Sequence, residues 1–239
     1  MCFSAPASFV AGASLTAMGG VTLKRVRDRS ELPFAAIPLM FGVQQFIEGV
    51  VWLTFGNGIL NTVATYGFVF FAFILWPVWL PYSLMVMEHD RIRRKILVFF
   101  FGIGLVVGLT QLYNVIALPV DSFVVQNSIV YSVPNAFGPQ MMILYLMATC
   151  LSCAFSSHRM VKLFGLALIF SLAIAYHFYT VSCFSVWCYF AALLSMIIAL
   201  HFHLRLPPAK ELKIPKVKMP KVKLPKVKIP KLPNFPKIK

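Results

Sequence analysis

Charge is what this chain has least of. Only seven Asp or Glu occur among its 239 residues, and charged residues make up 12% of them, against about 25% in an ordinary soluble domain. With 59% of residues hydrophobic, a water-soluble fold would have too little polar surface to cover its apolar atoms. No Lys or Arg falls inside any long apolar run, which excludes a retinal-type Schiff-base lysine within a span. Walker, HExxH, GxSxG and dinucleotide-binding motifs are all missing, so the chemistries that announce themselves by those signatures are not indicated. Cysteine is scarce too: Cys2, Cys150, Cys153, Cys183 and Cys188 are odd in number and too few for a disulfide framework in a chain of this size. The N-terminus carries no basic segment before its first apolar stretch, so that stretch is expected to stay as a helix.

What is present is a series of apolar runs. They lie at about 5–23, 32–55, 63–87, 96–117, 139–155, 163–181 and 185–204, and most reach the roughly 17–25 residues that cross a bilayer as a helix. The segments between them test the count. Lys24, Arg25, Arg27 and Arg29, then Arg91, Arg93, Arg94 and Lys95, then Arg159 and Lys162 fall in alternate loops, while loops near 56–62, 118–138 and 182–184 contain no Lys or Arg. Seven spans put every basic residue on one side, as the positive-inside rule requires. The expected fold is therefore an all-α polytopic membrane bundle of about seven transmembrane helices, N-terminus outside and C-terminus cytoplasmic. Residues 1–204 form the transmembrane domain and residues 205–239 a disordered Lys/Pro-repeat tail.

The net charge of +15 is mostly that tail. Residues 1–203 carry ten Lys or Arg against six acids, whereas residues 204–239 carry twelve against Glu211 alone. From Pro215 the sequence repeats every five residues, and a proline at that spacing forbids a helix and weakens a strand. Lys216, Lys218, Lys221, Lys223, Lys226, Lys228 and Lys231, interleaved with Val, Met, Leu and Ile, suit anionic lipid headgroups at ~1 kcal/mol per Lys. A solvated, topology-fixing tail is the plainer reading. Nucleic acid is not the expected partner, because the tail offers no aromatic platform beyond Phe235.

Polar groups within membrane spans are costly and are candidate functional groups for that reason. Glu48 is the only acid inside any predicted span. Gln44, Glu48 and Trp52 share one helix face at i, i+4 and i+8, with Gln45 beside them. The alternation of spans brings Gln111, Tyr113, Asn114, Tyr176, His177, Tyr179, Trp187, Cys188 and Cys2 to the same end. Glu48 and His177 make the best acid–base or metal-ligand pair on offer, with Cys2 and Cys188 as weaker metal candidates. An outward-opening polar pocket is expected if these faces converge. A packing role for His177, and a protonated Glu48 acting as interhelical glue, are the structural alternatives. Cys150 and Cys153 lack a redox-fold context, His201 and His203 suit an interface with headgroups, and Glu88-His89-Asp90-Arg91 reads as a solvated loop.

Three stretches carry a resemblance: Met1-Cys2-Phe3-Ser4-Ala5 with Ala7-Ser8-Phe9, Phe41-Gly42 with Gln44-Gln45, Glu48-Gly49 and Trp52, and Phe184-Ser185-Val186-Trp187-Cys188. They are similar to an uncharacterised family of bacterial multi-pass membrane proteins whose N-termini read MCFSA-x-ASF. The resemblance covers residues 1–203 and implies a bacterial cytoplasmic membrane, with no assigned activity or cofactor. Relatives often carry His where this chain has Asn127, so a metal site built there would lack that ligand. The leading expectation is binding or transport of a small ligand or ion around Glu48, Gln44, Gln45, His177 and Trp52. An intramembrane metal-dependent lipid hydrolase and a structural or assembly subunit stay open beside it.

Overall fold

The computed structural model describes residues 4–125, 127–134 and 136–204. Cys2 and the tail lysines lie outside these residues. The described part is a bundle of seven helical rods: α1 (Ala5–Lys24), α2 (Arg29–Thr54), α3 (Gly58–Met87), α4 (Arg91–Ala117), α5 (Pro139–Ala154), α6 (Arg159–Phe178) and α7 (Cys183–His203). All but α5 are long and apolar enough to cross a membrane. At 16 residues α5 rises only ~24 Å, short of a hydrocarbon core of roughly 30 Å.

The connection before α5 is not the plain loop that its lack of basic residues suggested. It folds into an antiparallel hairpin of β1 (Asp121–Val125) and β2 (Ser128–Ser132), with Val125 facing Ser128 across a two-residue turn. Asn127 takes a φ of +61° there, a left-handed conformation that Asn tolerates better than most residues. The hairpin packs across the ends of α2, α3 and α7. Ile129 is fully buried with Val51 and Ala64, Tyr131 stacks on Phe68 at 4.0 Å, and Ser128 Oγ lies 2.7 Å from Ser182 Oγ. A second set of polar contacts ties it to α3, where Thr65 Oγ1 donates to Ser122 Oγ and Ser122 Oγ to Asn61 Oδ1.

The opposite end gathers the basic residues. Arg25 donates to the carbonyl of His203, and Arg93 to that of Ser156. The first ties the end of α1 to the end of α7, and the second ties the start of α4 to the α5–α6 connection that precedes Arg159.

Two packing features position the interior. First, α1 and α2 run antiparallel at close range: a Cβ on Gly42 would meet Thr16 Oγ1 at 2.5 Å, and one on Gly19 the backbone of Leu39. Small residues at such crossings let membrane helices approach closely. Second, α3 is locally widened into a π-turn at Phe70–Leu75, just before Pro77. The Trp76 N–H bonds back to Phe71 rather than Ala72, and Pro77 has no N–H to offer. The Ala72 carbonyl is thereby left free, and Tyr145 of α5 donates its hydroxyl to it at 2.6 Å. Pro81 frees the Pro77 carbonyl in the same way, and Gly104 of α4 lies directly against it. α5 has its own π-turn at Met147–Leu151. The core between these helices is built on Phe41, Trp76, Tyr145, Phe164 and Trp187.

Candidate functional site

Glu48 sits on α2 one and a half turns from its end, where α1 and α7 both cross. It is fully buried. Ser185 of α7 donates to Glu48 Oε1 at 3.0 Å, and Ser8 of α1 reaches Oε2 at 3.5 Å. Three helices thus meet on one carboxyl, and both serines are buried with it. The tight α1–α2 crossing is what brings Ser8 there, since Gly49 makes room for the ring of Phe9. No Lys or Arg of the described interior stands near to balance a charge.

Gln45 is fully buried beside Glu48 and interacts with its carboxyl. Neither its Oε1 nor its Nε2 reaches hydrogen-bond geometry with any described residue. Gln44, also fully buried, accepts from Trp76 Nε1 at 2.7 Å, while its Nε2 makes no well-formed hydrogen bond, the amide's other neighbour being the Cys188 thiol. Cys188 lies close to this amide and within electrostatic range of Glu48. Buried amide atoms left unpaired cost roughly 1–3 kcal/mol each, so this group is an expensive one to keep inside a bundle.

Next to Gln44 is a small cavity of about 30 Å³, lined by Phe41, Trp76, Tyr145, Thr149, Trp187 and Cys188 among others. Phe41 stacks on Trp76 at 3.9 Å, and Trp187 Nε1 donates to the Leu168 carbonyl at 3.0 Å. That volume has room for a water or two, within a lining that is almost wholly apolar. Both π-turns border it, through Trp76 and Thr149, and such turns recur at functional sites.

The convergence expected at the hairpin end is therefore partial. Gln44, Gln45 and Glu48 come together with Cys188, and Ser8 and Ser185 complete the group without having been singled out as ligands. His177 does not join them. It is exposed near the end of α6, with its ring against Phe178, so it forms no pair with the fully buried Glu48. Its residue type and depth matched, but the face of α6 that packs inward carries Leu168, Ser171 and Ala175. Trp52 packs on Phe55 beneath the hairpin, and its Nε1 has no hydrogen-bond partner among the described residues. Gln111 is buried but turns to the carbonyl of Ala136, with Asn114 donating to Gln111 Oε1 at 3.3 Å. Tyr113 and Tyr176 are exposed. Gln44, Gln45 and Glu48 are each fully buried, so the group is enclosed rather than open. Among the described residues no three His, Cys, Asp or Glu side chains gather as a metal-binding set.

One buried acid escaped the sequence reading. Glu88 follows α3 in what looked like a solvated loop, yet it is only 4% exposed. It accepts from the backbone N–H and hydroxyl of Ser157, each at 2.7 Å, and from the Asp90 N–H at 3.2 Å. Burial pushes its carboxyl up, but the Ser157 hydroxyl and backbone N–H, with Asp90 behind them, outweigh burial and hold it below the usual glutamate value. Glu88 thus clamps the α5–α6 connection at the basic end. Nothing local in Glu88-His89-Asp90 signals this, because the partner is 69 residues away.

A bundle with six helices long and apolar enough to cross a membrane defines a multi-pass integral membrane protein. The chain belongs to DUF6629, a family of unknown function whose model matches residues 1–212. No curated protein and no solved structure is detectably similar to it.

Proposed function

We propose that the protein binds and conducts a small cation through the enclosed polar group of Glu48, Gln45, Ser8 and Ser185. The observation that carries this is Gln45: a fully buried amide that meets the Glu48 carboxyl yet makes no well-formed hydrogen bond at either polar atom. A cation contacting Glu48 and Gln45 Oε1 would satisfy the carboxylate and the amide oxygen together, with the two serine hydroxyl oxygens completing a set of hard ligands. A proton on Glu48 satisfies the carboxyl alone. The cavity beyond Gln44 supplies the next step of a path toward the basic end. Reconstituted into vesicles, the wild-type chain should pass sodium or protons down an imposed gradient, read with an entrapped dye, and Glu48→Gln should not. Equal flux in both would sink the proposal.

The membrane is read as the bacterial cytoplasmic membrane, with the hairpin end outside and the basic end in the cytoplasm. The clustering of Arg25, Arg93 and their neighbours at one end supports that orientation. On that orientation the lysines of the segment from Pro215 onward, a cationic sequence, are proposed to bind anionic lipid headgroups.

A further inference from the structure

The lipid-facing flank of α1 and α7 is not smooth. Near the basic end a groove of about 410 Å³ runs between the two helices, walled by Met18, Val21, Met196, Ala199 and Leu200. It meets a second hollow of about 530 Å³ further along the same pair, and Met196 lines both. From Arg25, which stands at the mouth of the first, to Ser14 in the second is eleven residues of α1, a rise of ~16 Å. That is about half the hydrocarbon thickness, the depth of one leaflet's acyl chains.

The mouth carries the charge. Arg25 is exposed and held in place by one bond, from Nη1 to the His203 carbonyl at 3.2 Å. A guanidinium has five N–H donors, and no acid among the described residues pairs with this one. Thr22 turns its hydroxyl back to the Met18 carbonyl, leaving the wall beneath the arginine apolar. A basic head position above an apolar slot one leaflet deep matches one kind of occupant.

We propose that the α1–α7 groove is a binding site for an anionic phospholipid of the leaflet at the basic end, with its phosphate on Arg25 and an acyl chain along Val21 and Met196. The site is independent of the cation path, since Glu48 and Gln45 face the interior.

Native mass spectrometry of the full-length chain tests it, with phosphatidylglycerol and phosphatidylcholine of identical chains added in turn. High salt during purification removes lipid held only by the exposed lysines of the tail. Wild type should keep one phosphatidylglycerol with about fivefold preference over phosphatidylcholine, the worth of one arginine beside an anionic headgroup. Arg25→Gln should lose that preference and Arg25→Lys should retain most of it. Val21→Trp, at an exposed position, should reduce retention of both lipids alike. No preference in the wild type, or preference unchanged in Arg25→Gln, would overturn the proposal. Displacement by inorganic phosphate alone would reduce the site to a simple anion contact. Conversion of a dimer to a monomer by Val21→Trp would assign the groove to a second copy instead.

Discussion

Replacing Glu48 with Gln separates a structural carboxyl from a working one. Glu48 accepts one sound hydrogen bond, from Ser185 at 3.0 Å, and one marginal one, from Ser8 at 3.5 Å. Glutamine keeps an acceptor for Ser185 and places an NH₂ where Ser8 Oγ can accept from it. The shape is unchanged, so the stability loss should stay within ~1 kcal/mol. Glu48→Leu removes both contacts and strands two buried hydroxyls, which at roughly 1 kcal/mol each predicts a loss of ~2 kcal/mol. Reversible unfolding in bicelles measures both variants. Flux in vesicles gives the second axis: the amide cannot ionise, so Glu48→Gln should fold like wild type and conduct neither protons nor sodium. A Glu48→Gln chain that loses several kcal/mol would show that a charge, not a shape, holds the three helices together. A stable one that conducts normally would leave Glu48 as interhelical glue and remove the site.

The clamp at Glu88 has a pH signature. Its carboxyl lies below the usual glutamate value of 4.5, so the charged form stabilises the folded protein at neutral pH, and that contribution disappears as pH falls below 4.5 and the folded carboxyl takes up its proton. Glu88→Ala should cost about 2 kcal/mol at pH 7 and much less in acid, read by thermal unfolding across pH; equal losses at both would refute the charged clamp. For topology, reporter fusions after Gly58, Val130 and Phe184 should report the outside, and those after Asp28, Ile92, Met160 and Lys210 the cytoplasm. A cytoplasmic signal from Val130 would break the seven-span order. Removing residues 207–239 should leave the bundle folded, as judged by unfolding temperature, and a tail peptide should bind anionic vesicles strongly at low salt and weakly at high salt. Equal binding to neutral vesicles would remove the electrostatic explanation.

The architecture was largely legible from one dimension. Hydropathy alone located the rods: the run at 5–23 became Ala5–Lys24, and that at 139–155 became Pro139–Ala154. Bilayer thickness sets helix length, and helix length writes itself into sequence as an uninterrupted apolar stretch. The alternation of basic and uncharged loops likewise anticipated that Arg25, Arg93 and Ser157 would share an end. Glu48 stood out for the same reason, because a lone acid in an apolar run is costly wherever the run ends up.

The tertiary structure decided everything that depends on which face of one helix meets which face of another. His177 and Glu48 sit at matching depths, yet the rotation of α6 turns one outward while α2 turns the other in. Depth is a property of position along a chain, whereas facing is a property of packing. Ser8 and Ser185 became partners of Glu48 through contacts spanning 40 and 137 residues, and Glu88 found Ser157 across 69. Serine carries no signal in a membrane segment, since a short hydroxyl can bond its own helix at little cost. The hairpin was the nearer miss. Its two short β-branched and aromatic runs, Phe123-Val124-Val125 and Ile129-Val130-Tyr131, on either side of Asn127, are written in the sequence. What those runs could not reveal is that the hairpin folds down over Phe68 and Val51 to close the end of the bundle, because only the packed helices create the surface it covers.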